Sequence, residues 1–233
     1  MRSHYLAIFM CASLCTLSCS LAQAQQRVPV QVVELFTSQG CSACPPADAL
    51  LGTLVQDDPV LPLSFHVDYW NYLGWEDPLS TPFATARQRA YRDALSNMYI
   101  YTPQFMVGGA QDYDLREHET LRADLTTPLS PGLALTWTQA GLTLEPIEGG
   151  LEKGSIWLVH FYKRQETDVK AGKNKGLTLT HYHSVYALEP LGDWTGTPQT
   201  LALNAPETYG LAVLVCDAQG RIHGAADWRL ETP

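Results

Sequence analysis

Val33-Glu-Leu-Phe-Thr-Ser-Gln-Gly-Cys41-Ser-Ala-Cys44-Pro-Pro-Ala-Asp48 is the stretch from which the rest of the chain is read. The run Val30 to Phe36 is apolar and β-type, and Ala47 to Val55 is helix-like, so Cys41-Ser42-Ala43-Cys44 stands where a strand gives way to a helix. At such a junction the unpaired backbone N–H groups and the positive end of the helix dipole favour thiolate at Cys41. Cys44, one turn on, lies within disulfide reach. Pro45-Pro46 is tolerable only in a first helical turn, where N–H groups have no intrahelical partner, so the helix is expected to begin at or just after Cys41 and to leave it exposed. The residues themselves describe a redox site made of Cys41 and Cys44.

Working outward, residues 1–24 have the form of a leader. Arg2 and His4 precede an apolar run from Tyr5 to Leu21, and Ala22-Gln23-Ala24 has the small-x-small form of a signal-peptidase site. A membrane anchor is the rival reading of the same run, and Cys19 a weak candidate for lipid attachment. The Ala-x-Ala ending and the polar Gln25-Gln26-Arg27 favour cleavage and a periplasmic or secreted product. Cys11, Cys15 and Cys19 would leave with the leader, so the mature chain keeps Cys41, Cys44 and Cys216. An oxidising compartment makes the closely spaced pair a disulfide or a catalytic dithiol, and Cys216, in the strand-like run Leu211 to Cys216, reads as a buried hydrophobe.

The chain has 233 residues, 45% of them hydrophobic, enough for one large or two small domains, and its net charge of −9 speaks against nucleic acid or an anionic membrane surface as a general partner. From Gln31 to about Leu125, strand-like runs alternate with helical ones. The best marked helix opens at Thr81-Pro82, an N-cap followed by a proline at the first helical position. After Thr126-Thr127-Pro128 the segments become short, alternating and separated by turns. The expected architecture is an α/β domain over 25–127 followed by an antiparallel β-rich, sandwich-like domain over 128–233.

Thr102-Pro103, after the crossover helix and before Gly108-Gly109, resembles the strand whose cis-proline faces the cysteine pair in thioredoxin-like folds. The first block, together with His66-Val-Asp-Tyr-Trp70-Asn-Tyr-Leu-Gly-Trp75, Arg87-Gln-Arg-Ala-Tyr91, Tyr101-Thr-Pro-Gln104 and Leu191-Gly-Asp-Trp194, resembles the secreted bacterial family called domain of unknown function 1223. That resemblance implies a thioredoxin-like first domain with a β-rich companion and brings no established substrate. Carried over residue by residue, it makes Cys41 the attacking thiol and Cys44 the resolving one, with cysteine-containing protein clients and an unknown redox partner. Glu34 resembles the buried acid that would exchange a proton with Cys44, although it lies seven residues before Cys41 where six is usual; an edge-exposed strand acid is the other reading. Gly40 stands where an aromatic is usual. Thr102 and Pro103 would shape the substrate strand.

Other signals compete. A copper or zinc carrier would use Cys41 and Cys44, with His66 at the end of the second strand as a third ligand, though no cofactor is expected from the motif. A non-catalytic interaction module would keep the disulfide as a staple. His181 and His183, two apart, read as a solvated strand face. Trp70 and Trp75, in the aromatic run Tyr69 to Trp75, either line a client groove or pack the inserted segment onto the second domain. The basic residues Lys163, Arg164, Lys170, Lys173 and Lys175 stand out in an acidic chain and read as a solvated loop or an anion site.

Overall fold

Strand β1 (Gln31–Thr37) is buried along its whole length. It opens the computed structural model, which describes residues 31–57, 59–127, 132–138, 140–203 and 209–228. The candidate leader and the proposed boundary at Pro128 lie outside the described residues. Helix α1 (Pro45–Leu54) follows the cysteine turn, and strand β2 (Val60–His66) then pairs parallel with β1 from Gln31↔Val60 to Thr37↔His66. Helix α2 (Pro82–Ala94) starts as its sequence dictates, with the Thr81 hydroxyl accepting from the Ala84 N–H at 3.3 Å and Pro82 at the first position. Strands β3 (Gln104–Val107) and β4 (Gln111–Tyr113) form a hairpin, and helix α3 (His118–Leu125) follows a short 3-10 turn.

The later strands are β5 (Leu133–Thr138), β6 (Gly141–Pro146), β7 (Gly154–Asp168), β8 (Thr178–Trp194), β9 (Gln199–Leu201), β10 (Gly210–Cys216) and β11 (Ile222–Asp227). Among the described residues, eight strands make one mixed sheet in the order β11-β10-β7-β8-β2-β1-β3-β4, and β5-β6-β9 make a three-stranded sheet. This overturns the expected α/β thioredoxin-like domain followed by an antiparallel sandwich. The described residues are mostly sheet, with three short helices. Strands β7, β8, β10 and β11 extend the sheet begun by β1 and β2 instead of building a sandwich of their own, and the join is β2 beside β8, parallel at Ser64↔Ser184. Strands β7 and β8 are 15 and 17 residues long, far beyond the short segments their sequence announces, because register shifts at Ile156/Trp157 and His160/Phe161 break the alternation without ending the pairing.

Packing follows the pleat. Val32 and Phe36 of β1, with Leu61, Leu63, Phe65, Phe161 and Leu214, meet Ala84 and Tyr91 of α2 on one face. Val33 and Leu35 meet Ala47, Leu51 and Leu54 of α1 and Leu121 of α3 on the other. At the far end that second role passes to the small sheet, where Leu133, Trp137, Leu142 and Leu144 pack on Ile156, Val213 and Val215. Being covered on both faces explains why β1, β2 and β10 read as unbroken apolar runs. The cysteine turn leaves the sheet at the end of β1, where α1, the segment after β2 and the β7–β8 loop converge.

Candidate functional site

Cys41 and Cys44 are joined as a disulfide, with Cα atoms 5.4 Å apart. The helix does not begin at Cys41. Cys44 is the N-cap and Pro45 the first helical residue, so the first free amides, from Ala47 and Asp48, donate to the Cys44 carbonyl at 2.8 and 3.0 Å. Nor is Cys41 exposed. The two cysteines retain 1% and 0% of their surface, and only Ser42 and Ala43 reach solvent at the tip of the turn.

Three groups wall the disulfide in. Thr102-Pro103 is a cis peptide, and the Thr102 carbonyl lies 3.9 Å from Cys41 Sγ, the position in which it would accept from the reduced thiol. Trp70 covers this side, donating from Nε1 to the Thr102 hydroxyl at 2.8 Å. A Cβ at Gly40 would stand 3.0 Å from Trp70 Cβ, so the glycine permits the indole's close approach and Trp70 supplies an aromatic surface beside the turn. The Gln88 amide, fully buried on α2, donates to the Tyr101 carbonyl and to Gln104 Oε1 at 2.7 and 2.8 Å and pins the Thr102 segment in place. Trp75 donates to Gln39 Oε1 at 3.0 Å. From the loop between β7 and β8, the amide of Asn174, itself 3% exposed, donates to the carbonyls of Gln39 and Cys41, both at 2.9 Å.

A row of buried ionisable groups runs beneath the turn. Asp77 Oδ2 accepts the Gln39 N–H at 2.8 Å and lies 2.7 Å from His66 Nδ1, while Oδ1 accepts the Leu79 N–H at 2.9 Å. The His66 ring stands edge-on to His181 at 4.6 Å, and His181 Nδ1 is 3.6 Å from Asp48 Oδ1, one helical turn after Cys44. Among the described residues, neither carboxylate oxygen of Asp48 nor either ring nitrogen of His181 has a hydrogen-bond partner. His181 and His183 are therefore not a solvated face; each is 1% exposed, and His183 Nδ1 lies 2.8 Å from the Pro62 carbonyl. His66 is engaged by Asp77. Among the described residues no group of three or more His, Cys, Asp or Glu is arranged to hold a metal ion.

Glu34 is fully buried but is turned to the α2 face. Arg87 Nε donates to its Oε1 at 2.6 Å, the Tyr91 hydroxyl donates to Oε2, and Arg87 Nη2 reaches the Tyr91 hydroxyl at 2.8 Å. The structure thus brings Cys41, Cys44, Thr102, Pro103, Trp70 and Trp75 to one place and holds Glu34 with α2 instead. Cys216 belongs with Glu34: burial, against the attraction of Arg87 and with the Glu34 charge on its side, pushes the thiol up to about 11. It is expected to be inert, so iodoacetamide at about pH 8 should label Cys216 only after denaturant is added, as mass spectrometry of the alkylated chain would show. Labelling in the folded state would contradict this placement.

Asn174, Asp77, Gln39, Gln88 and Asp48 carry the site, and the sequence assigns none of them a role. Gln39, Asp48 and Gln88 lie within the blocks that carry the family resemblance, Asp77 precedes a proline turn, and Asn174 sits inside the basic loop.

A family described as protein of unknown function (DUF1223) matches residues 32–216. Protein AGR_C_4864 from Agrobacterium tumefaciens, known from a crystal structure, is 35% identical with a TM-score of 0.70, over 87% of this chain and 95% of that one. HBP35 of Porphyromonas gingivalis is 15% identical with a TM-score of 0.57, over 86% of this chain and 74% of that one, a likeness of fold alone. No curated protein matches the chain.

Proposed function

The chain belongs to the DUF1223 family, and from that membership, which assigns no activity, we propose that it is an exported thiol-disulfide oxidoreductase exchanging disulfides with cysteine-containing protein clients. The observation that carries the reading is the Cys41–Cys44 disulfide set against the Thr102 carbonyl, 3.9 Å from Cys41 Sγ, with polar groups of three separate segments converging on one turn. A client thiolate attacks Cys41 Sγ; the Cys41–Cys44 bond breaks, a client–Cys41 bond forms, and Cys44 leaves as a thiolate that takes up a proton. A second client thiol, losing its proton, then attacks the client sulfur of the mixed disulfide. The client leaves oxidised and Cys41 leaves reduced, and a separate redox partner restores the disulfide. Run backwards, the same steps reduce a client. Thr102 and Pro103 flank the attacked sulfur, and Pro103, with no N–H, leaves the Thr102 carbonyl as the polar backbone group that an extended client would meet there. Trp70, bonded to Thr102, and Trp75, bonded to Gln39, supply flat apolar surface beside the turn.

The burial of both cysteines favours a second reading, a disulfide that only staples the turn to α1. One experiment separates the two. With Cys44→Ala, Cys41 is expected to accumulate mixed disulfides with exported proteins, visible as reductant-sensitive high-mass bands that Cys41→Ala abolishes. A redox titration should give a potential between about −120 and −270 mV, the range of exchange proteins. No trapped clients and a disulfide resistant to reduction would leave the staple.

A further inference from the structure

Resting on the redox reading above, we propose that the β7–β8 loop, residues 169–177, is a cap on the Cys41–Cys44 disulfide that an acidic segment of a protein partner lifts. Asn174 is the latch. Its two N–H groups are spent on the carbonyls of Gln39 and Cys41, one on each side of Gly40, so the loop is tied to the backbone of the reactive turn and not merely laid over it. The loop turns at Gly172 and Gly176, with φ of +73° and +87°, values that only glycine adopts without strain. A Cβ at Gly172 would stand 2.9 Å from Trp75 Cβ, so the loop also packs against the tryptophan that holds Gln39. The base is closed by Val169 and Leu177, with the Val169 N–H on the Leu177 carbonyl at 2.9 Å.

The outer surface of the cap defines its partner. The chain has five lysines, Lys153, Lys163, Lys170, Lys173 and Lys175, and three of them lie in this loop of a protein whose net charge is −9. Lys173 and Lys175 are exposed on either side of the buried Asn174, and among the described residues neither has a carboxylate within ion-pair distance; Lys170 reaches Asp168 at 3.1 Å. The exposed ammonium groups of Lys173 and Lys175, with Lys170 beside them, suit the carboxylates of a flexible acidic peptide, which they can meet as point charges. An extended anionic membrane would face the whole of a molecule of net charge −9, whereas a flexible acidic peptide meets only the basic loop. Pulling the lysines outward draws Asn174 off its two carbonyls and opens the route to Cys41.

The test follows reduction of the disulfide in the full mature chain by dithiothreitol, quenched by alkylation and read as a mass shift. Asn174→Ala is expected to be reduced about tenfold faster than the wild type, the size expected when two hydrogen bonds holding a closed state are removed. An oligoglutamate peptide should accelerate reduction of the wild type several-fold, less so at high salt, and should have no effect on Lys170→Glu/Lys173→Glu/Lys175→Glu. That triple variant changes only exposed side chains and keeps the test open where Asn174→Ala does not fold. Equal rates for Asn174→Ala and the wild type overturn the latch, and a wild type indifferent to oligoglutamate overturns the acidic partner. Acceleration by phosphatidylglycerol vesicles and not by the peptide would mean a membrane trigger, against the proposal. Because dithiothreitol needs no client, these outcomes stand apart from client trapping by Cys44→Ala, which tests the redox reading itself.

Discussion

Glu34→Ala is expected to lower folding stability by about 3–5 kcal/mol, because it strands a guanidinium that, among the described residues, has no other carboxylate beside it. Glu34 is fully buried and the Arg87 side chain is 14% exposed. Arg87 lies over the rings of Phe65 and Tyr91, at 5.6 and 5.1 Å, so it has little water to turn to when its partner goes. Burial works against the guanidinium, but the opposed Glu34 charge, with Tyr91 and Cys216, holds its pKa well above the ordinary value. The Tyr91 hydroxyl would lose its acceptor in the same substitution. Since the cost comes from the orphaned charge and not from the worth of the pair, Glu34→Met with Arg87→Met should lose less than the sum of the two single changes. Urea denaturation of the wild type, Glu34→Ala, the two single methionine variants and their double checks this, and a Glu34→Ala protein within about 1 kcal/mol of the wild type would refute it, since that is the scale of an exposed pair. The same geometry predicts that Glu34→Gln leaves the pH dependence of disulfide reduction where it was, for the carboxylate is committed to α2.

How much of this was legible follows from the range over which each signal acts. Thr81-Pro82 announces α2 because a cap and a first-turn proline act within four residues, and Cys41-x-x-Cys44 needs only its own spacing. The alternation of elements through residue 125 is likewise local. The sheet order is not. It turns on β2 lying beside β8, a parallel contact between Ser64 and Ser184, and no property of either serine marks it. Short apolar runs broken by bulges, such as Ile156 to Tyr162, look like sandwich strands until that contact places them in the larger sheet. Glu34 reads equally as a buried acid or an edge-exposed strand acid, and the face it takes is fixed by Arg87, fifty-three residues on. His181 and His183 read as solvated because alternation alone does not distinguish an exposed face from a covered one: His181 lies against Asp48 of α1, and His183 against Phe161 and the Pro62 carbonyl. Asn174 was invisible for the opposite reason: in a loop of lysines and glycines it looks like a turn residue, and only the folded chain brings its amide to Gln39 and Cys41.

Asp77→Ala should be as damaging as loss of Glu34, about 3–5 kcal/mol, and should also change how stability depends on pH. Asp77 holds three groups: the Gln39 and Leu79 amides and the His66 ring, with both side chains of the His66–Asp77 pair at 0% exposure. Burial alone would depress the His66 imidazolium, but the charge and hydrogen bond of Asp77, with Asp48 beyond, outweigh it and hold the pKa above the ordinary 6.5. Asp77 moves the other way: burial would raise it, yet His66 and the amides of Gln39 and Leu79 bring it below the ordinary 3.8. For His66 the stabilising contribution is complete below pH 6.5 and is lost as pH climbs through the raised folded value; for Asp77 it is complete above 3.8 and is lost as pH falls through the depressed one. The pair therefore contributes most between those two limits and weakens toward alkaline pH. His181, edge-on to His66, and Asp48 are the other ionisable groups facing it, and neither changes in the variant. Asp77→Asn removes the attraction that charges His66, so urea midpoints measured across this range should no longer fall as pH rises through neutrality; an unchanged slope would mean that Asp77 does not set the His66 proton. The variant also weakens the anchor beneath Gln39, so its disulfide should be reduced faster by dithiothreitol than that of the wild type, linking the buried pair to access at Cys41.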